Sequence, residues 1–302
     1  MSVIDDLAFF QRLARAESMT ATARDLGLSL AAVSKRLAQL ERRLGVTLMQ
    51  RSTRKLSLTA EGELYLERGA SILAELAELE GALSDPRQSL RGSLRVSATF
   101  GFGRRHIAPL LSSFALRHPE LELQLELGNY PPSLDDGFDL VIRVGPPPDA
   151  RLVARRLLAN RRVLCASPAY LDAHGAPADL DALAAHRCIV LRENSSDHGI
   201  WRFIDQGRER AVRIKGTLST NDGEVAVRLA LDGHGLVLRS WWDVQAHLAQ
   251  GRLVELLPGV ITPSADFYAV YRPRRHPSRR LEALLGWLSE ALPARVPSSG
   301  AC

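Results

Sequence analysis

Cysteine is scarce in this 302-residue chain. Its three copies, Cys165, Cys188 and Cys302, are odd in number and far apart, which suits free thiols in a reducing compartment and not a disulfide framework. Long apolar runs are missing too, and none approaches the ~18 to 20 uncharged residues of a membrane span. Near the start, acids at Asp5 and Asp6 precede bases at Arg12 and Arg15. A secretory signal would open with positive charge and continue into an unbroken apolar stretch, so the expectation is a cytoplasmic protein with no membrane partner. Eight histidines are scattered without a His-x-x-x-His pair, and no Cys-x-x-Cys exists, which leaves no zinc site, no metal and no cofactor to expect. Gly101-Phe-Gly103 lacks the third glycine of a dinucleotide fingerprint, and neither a phosphate-binding Gly-Lys loop nor a Gly-x-Ser-x-Gly elbow occurs. These absences argue against an enzyme. A redox sensor would need an exposed, acidic thiol; Cys165 and Cys188 fall in apolar strand candidates and read as core, while Cys302 lies on a tail.

Charge of one sign is nearly balanced overall, with 39 Lys+Arg against 34 Asp+Glu. It is not evenly spread. Residues 1–60 hold ten bases and five acids, and the rest holds 29 of each, so the whole formal +5 sits in the first fifth. A basic module that meets a polyanion and a larger neutral body is the reading, and the length suits about two domains.

In the basic module, Ile4, Leu7, Ala8, Phe10, Leu13 and Ala14 recur at helical spacing to about Ala16. Ser18 and Thr20 offer caps for a second helix over Thr22–Leu26, Gly27 allows a tight reversal, and Ser29 caps a third helix through Val33, Leu37, Leu40 and Leu44. Helix, glycine turn, helix is the skeleton of a helix-turn-helix whose second member lies in the major groove. With the four apolar positions facing the core, Ser34, Lys35, Arg36, Gln39, Arg42 and Arg43 fall on the remaining surface, where they can donate to base edges and phosphates. Arg51 to Lys55 followed by alternating Leu56-Ser-Leu-Thr59 reads as a β-hairpin wing with a basic edge.

From Glu61 to Leu83 there is no proline, and Tyr65, Ile72, Leu76, Leu79 and Leu83 follow a heptad-like spacing, widened by Leu66 and Leu73. Such a seam on a long helix seeks a partner helix, or else its own domain. Pro86 and Gly92 mark residues 85–92 as a hinge. Beyond it, strand candidates at Leu94–Ala98, Leu121–Leu127, Phe138–Val144, Leu152–Leu158, Arg162–Ala166, Cys188–Leu191, Val212–Leu218, Gly235–Leu238, Leu253–Leu256 and Phe267–Tyr271 alternate with helices at Ile107–Arg117, Ala169–His174, Asp222–Leu231, Trp241–Ala249 and Arg279–Leu292. That alternation predicts an α/β body with mixed, largely parallel sheets.

The stretch Phe9-Phe10, Ser18-Met-Thr-Ala-Thr-Ala23, Leu26-Gly-Leu-Ser29, Ala32-Val-Ser34, Leu40-Glu-Arg-Arg-Leu-Gly-Val46, Leu48, Arg51 and Leu58-Thr-Ala-Glu-Gly62 closely resembles the amino-terminal region of LysR-type transcriptional regulators. The body resembles the same family, in the branch with Gly101-Phe-Gly-Arg-Arg-His106 opening its effector domain, and the match extends through Phe138 to Gly145, Leu152 to Arg156, Ala166 to Leu171 and Asn221 to Glu224. Leu30, where Gln or Pro is frequent, and Met49, where Phe is usual, depart from the pattern. The resemblance implies a winged helix-turn-helix at 1–60, a linker and dimerisation helix at 61–84, the hinge, and at 93–302 an effector domain like a type II periplasmic binding protein. Two subdomains would hold a small molecule between them, the first from Ser93 and completed after Tyr268, the second between Asn160 and Thr262. It also implies base or phosphate contacts from Ser34 and Lys35, wing contacts from Arg51 and Arg54, and a linker-helix homodimer, assembling further into a homotetramer.

The candidate DNA contacts are therefore Thr20, Ser29, Ser34, Lys35, Arg36, Gln39, Arg42, Arg51 and Arg54. Ligands in open α/β sheets bind beyond the carboxyl ends of strands, which selects Ser97, Thr99, Phe100, Gly101, Asn129, Arg143, Ser195, Ser196 and Asn221 as effector contacts. Arg143, amides and hydroxyls suit a carboxylate. Pro131-Pro132 would break the helix that the family often carries before the third strand of the body. The expected activity is effector-controlled, sequence-specific regulation of transcription on double-stranded operator DNA, with RNA polymerase as a further partner. The alternatives are a cytoplasmic solute-binding protein, which has no need of the basic module, and a nonspecific DNA-binding protein, which has no need of a ligand cleft.

Overall fold

A computed structural model describes residues 2–16, 18–51, 56–84, 90–129, 132–192, 199–205, 207–273 and 278–296. The chain folds as two compact units, residues 1–92 and 93–302. Among the described residues no helix is long and apolar enough to cross a membrane.

The first unit opens with α1 (Val3–Arg15), started by a capping box in which Ser2 Oγ accepts from Ile4 N and Asp5 Oδ2 accepts from Ser2 N. Helix α2 (Met19–Asp25) begins earlier than expected, because Ser18 Oγ accepts from Ala21 N at 3.1 Å and so caps the helix ahead of Thr20. Gly27 then turns the chain at φ +63, a conformation that a Cβ would strain, and Ser29 caps α3 (Leu30–Leu44) through Ala32 N. The wing is an antiparallel pair, β1 (Met49–Arg51) and β2 (Leu56–Leu58). Glu41 of α3 fixes its base by accepting from Leu48 N at 2.8 Å and Met49 N at 3.2 Å. One core gathers Phe9, Phe10, Leu13, Val33, Leu37, Leu40 and Leu48, with Met49 buried beside them. Helix α4 (Ala60–Ser84) follows, and its first turns complete this core: Tyr65 meets Phe10 edge to face at 5.4 Å. Tyr65 is thus half-buried, packed against the core of its own unit. Further along α4, Ile72 and Leu79 are exposed and Leu76 is half-buried; the side chain of Leu83 lies outside the described residues.

The second unit starts with β3 (Gly92–Thr99), α5 (Phe100–Phe102), a π-helical turn over Gly103–Ile107 and α6 (Ala108–Arg117), so helix begins at Phe100 and not at Ile107. Next come β4 (Leu121–Gly128), β5 (Leu140–Val144), β6 (Val153–Leu158), β7 (Arg162–Ala166), α7 (Pro168–His174) and β8 (Val190–Leu191). The remainder is β9 (Ile200–Asp205), β10 (Arg208–Arg213), β11 (Ser219–Thr220), α8 (Gly223–Leu231), β12 (Val237–Ser240), α9 (Trp241–Ala249), β13 (Val254–Glu255), β14 (Phe267–Tyr271) and α10 (Arg279–Arg295). Pro131 lies outside the described residues, and before β5 there is one 3-10 turn, Leu134–Asp136.

Strands β4-β3-β5-β14-β6 form one sheet and β12-β7-β13 another. The sheets are mixed, but the expectation of mostly parallel pairing fails. β3 and β5 run parallel, as do β8 and β11, whereas β14 is antiparallel to both β5 and β6, and β7 is antiparallel to both β12 and β13. The reason is that β14 enters the first sheet from the second, returning in the opposite direction. The expected strand Val212–Leu218 is also replaced, by the β9–β10 hairpin and the short β11.

The chain crosses between the sheets twice, around Asn160 and around Ala265, and buried Asn160 joins the crossings. Its Nδ2 donates to Ala265 O at 3.0 Å and Ser240 Oγ at 3.2 Å, and its N donates to Asp266 Oδ1 at 2.9 Å. Strand β7 is buried on both faces, with Leu164 and Ala166 on one side and Val163 and Cys165 on the other. Burial pushes the thiols of Cys165 and Cys188 up to about 12, consistent with inert core residues.

Candidate functional site

On α3 the apolar positions fix the opposite face. Lys35, Gln39 and Arg42 are exposed at spacings of four and three, one continuous stripe, and Ser34 is half-buried at its flank. Arg42 Nε also donates to Ala38 O at 3.2 Å. Thr20 and Ser29 are exposed, the latter engaged as an N-cap. Arg36 departs from expectation. Its guanidinium turns back to α1, donating to Asp5 O at 2.8 Å, lying 4.5 Å over the ring of Phe9 and 3.8 Å from Asp6 Oδ1. Asp6 is buried and also receives Arg43 at 3.0 Å. Arg36 and Arg43 therefore fasten α3 to α1, and Arg36 is withdrawn from the DNA-facing set. The side chain of Arg51, and all of Arg54, lie outside the described residues.

In the second unit a cleft of about 730 Å³, its open mouth included, lies between the two sheets. Thr99, Phe100, Gly101, Asn129, Arg143 and Asn221 line it, as expected from strand ends. Ser97 does not; it is buried within β3 opposite Val141 of β5. Ser195 and Ser196 lie outside the described residues. Sequence reasoning missed Arg162, Gly223, Arg239, Ser240, Trp242 and Phe267, which also line the cleft. Two of these had a signal: Gly223 stands inside the motif Asn221 to Glu224, and Ser240 ends a strand.

The lining has three arginines and no described Asp or Glu. Arg239 is buried and neutralised by Asp243, with Nη2 at 2.7 Å and Nε at 3.1 Å from Oδ2. Its guanidinium fills the space that a Cβ on Gly223 would need. Arg143 differs: its Nε is buried with no hydrogen-bond partner, and burial pushes its pKa down. A desolvated guanidinium without a counter-charge favours an anion. Thr99 caps the helix at Phe100 without a side-chain cap bond, so its hydroxyl is not spent on the helix end.

Beside the cleft Arg104, in the π-turn after β3, bonds to Asp222 at 2.9 Å and to Glu224, both at the start of α8. Below, Phe102 stacks on Phe267 at 3.6 Å, and Trp242 meets both Phe102 and His106 edge to face. His106 is buried with neither ring nitrogen hydrogen-bonded; burial, helped by Arg105 and Arg295 and opposed by Asp243, pushes it down to about 4. A cation-lined cleft between two α/β subdomains thus follows a basic helix-turn-helix in one chain.

Residues 4–63 match the bacterial regulatory helix-turn-helix protein of the lysR family, and residues 87–293 match the LysR substrate binding domain. The chain belongs to the LysR family of transcriptional regulators. This LysR-family protein is 38% identical over 299 residues to the HTH-type transcriptional regulator DmlR of Escherichia coli K12, covering 99% of this chain and 97% of that one. It is 36% identical to the HTH-type transcriptional activator TtdR of the same organism over 95% of this chain and 94% of the relative. Its fold matches CrgA, a LysR-type transcriptional regulator from Neisseria meningitidis, with TM-score 0.60 and 31% identity over 97% of this chain and 99% of that structure. The LysR-family chain is accordingly a DNA-binding transcriptional regulator with an effector-binding domain.

Proposed function

We propose that the effector of this LysR-family regulator is a small carboxylate and that Arg143 holds it. The buried, unpartnered Nε of Arg143 in a cleft lined by three arginines carries this reading. Thr99, Asn129 and Asn221 would supply further hydrogen bonds, and the ligand would change the relative stability of open and closed subdomain arrangements. Lys35, Gln39 and Arg42, with Ser34, would meet double-stranded operator DNA in the major groove, and the wing arginines its backbone. Exposed Ile72 and Leu79 on one face of α4 support a homodimer through residues 61–84, joined by the 85–92 hinge to effector domains that assemble into a homotetramer. A cytoplasmic site follows from the DNA partner, and relatives named as activators support contact with RNA polymerase.

Titration calorimetry with a panel of aliphatic and aromatic carboxylates tests the effector. One of them should give saturable heat that Arg143→Leu abolishes, while the variant melts no lower than the wild type, because the lost charge had no partner. Absence of heat across the panel, or binding that survives Arg143→Leu, would refute it.

A further inference from the structure

Among the large apolar side chains left in water, Leu30 stands out by position. It is the first residue of α3 and 49% exposed, outside the core that Val33, Leu37 and Leu40 enter. Leu28, just before the Ser29 cap, is 40% exposed, and Ala31 beside it is exposed. Leu30 lies one turn ahead of Ser34 on the same flank of the helix, with exposed Ala31 between it and the side that bears Lys35. The amino-terminal end of α3, the part of such a helix that reaches base edges, therefore carries an apolar tip followed by polar and cationic groups.

We infer that Leu30 reads thymine, packing against its C5-methyl group in the major groove. This rests on the reading that α3 enters that groove. Leucine offers no donor or acceptor, so it cannot tell bases apart by hydrogen bonds, and against a cytosine amino group or a guanine carbonyl it would strip water without replacing it. Of the groups that the four standard bases present in the major groove, the thymine methyl is the apolar one. Leu30 thus makes the tip of α3 a methyl reader. Its exposure in the free protein is relieved on the operator, where the same apolar surface leaves water against the methyl.

The test uses the full chain. Sites are enriched from a random duplex pool, each thymine of the enriched site is replaced singly by deoxyuridine, which lacks only the methyl, and affinities are read by fluorescence anisotropy. One or two replacements per half-site should weaken the wild type about fourfold, the worth of one buried methyl. The same replacements should change binding of Leu30→Ala and Leu30→Gln by less than about twofold, both variants keeping the wild-type melting temperature because the side chain is not in the core. If no replacement weakens the wild type, or if the variants lose as much as it does, the assignment of Leu30 is overturned. Lys35→Ala separates this from failure of the groove reading: unchanged affinity there at moderate salt would remove the helix from the groove and Leu30 with it. Weakened binding by Lys35→Ala with no deoxyuridine effect would overturn Leu30 alone.

Discussion

Arg104 Nη2 lies 2.9 Å from Asp222 Oδ2, an ion pair that joins the helix after β3 to the start of α8 and so ties one subdomain to the other. Asp222 works twice, since its Oδ1 also accepts from Glu224 N at 2.8 Å and Val225 N at 3.3 Å as the cap of α8. Burial alone would raise its pKa, but Arg104 and the capping amides outweigh that and hold the carboxylate below its ordinary value. Arg104 is 44% exposed, so the pair contributes at most about 1 kcal/mol. Asp222→Ala loses one pair and the cap but leaves Arg104 on Glu224, whereas Arg104→Ala loses both exposed pairs. A cap is worth about 1 kcal/mol and an exposed pair less, so Asp222→Ala should cost the more in urea unfolding. The reverse order would mean that the cap is unimportant.

Gly223 follows directly. A methyl group there occupies the place of the Arg239 guanidinium, which would have to leave its buried pair with Asp243. Gly223→Ala should destabilise the effector domain by about 3 kcal/mol, the scale of a broken buried pair. A loss under about 1 kcal/mol would show that the guanidinium is accommodated without losing its pair, for instance by moving into the adjacent cleft.

His106 makes stability depend on pH. Its folded value of about 4 is below the ordinary 6.5, so between those limits the unfolded chain binds a proton that the folded one refuses. Stability is full above about pH 6.5 and falls as pH drops towards 4, by up to about 3 kcal/mol. The groups facing it are Arg105 and Arg295, which oppose protonation, and Asp243, which favours it. His186 and His247 are also depressed by burial and add their own slope, so the comparison is with His106→Leu, which should flatten the dependence between pH 4 and 6.5. An unchanged slope would disprove the assignment.

Adjacent residues on α3 should behave oppositely. Lys35→Ala should weaken operator binding, lower the salt dependence by about one phosphate and leave the melting temperature alone. Arg36→Ala removes a cation over Phe9 and a bond to Asp5 O, so it should destabilise the first unit by about 1–2 kcal/mol. Equal effects of both on DNA affinity at low temperature, with equal melting points, would contradict the division.

Periodicity and punctuation in the sequence determined much of this protein. The helix-turn-helix follows from apolar spacing, the Ser29 cap and Gly27, all local effects that act within one or two turns of chain. The strand ends that line the cleft were legible for the same reason, since Thr99, Asn129 and Arg143 sit at the boundaries of short apolar runs. The β9–β10 hairpin was hidden because charged residues are threaded through both strands, as in Arg208-Glu-Arg210.

Only tertiary structure decided where long side chains go. Arg36 and Lys35 are neighbours with the same charge, and nothing local says that one reaches back to Asp5 and Phe9 while the other stays in water. Tyr65 fits a heptad seam by spacing but is claimed by Phe10 from another helix. Arg239 enters the cleft wall from β12, beyond the first of the two crossings that Asn160 joins, and only packing reveals that Gly223 makes room for it. Local chemistry sets the elements, because their hydrogen bonds close over a few residues. The partners of a buried charge are chosen by which distant segments the hydrophobic core brings within 3–4 Å, and no sequence window contains that information.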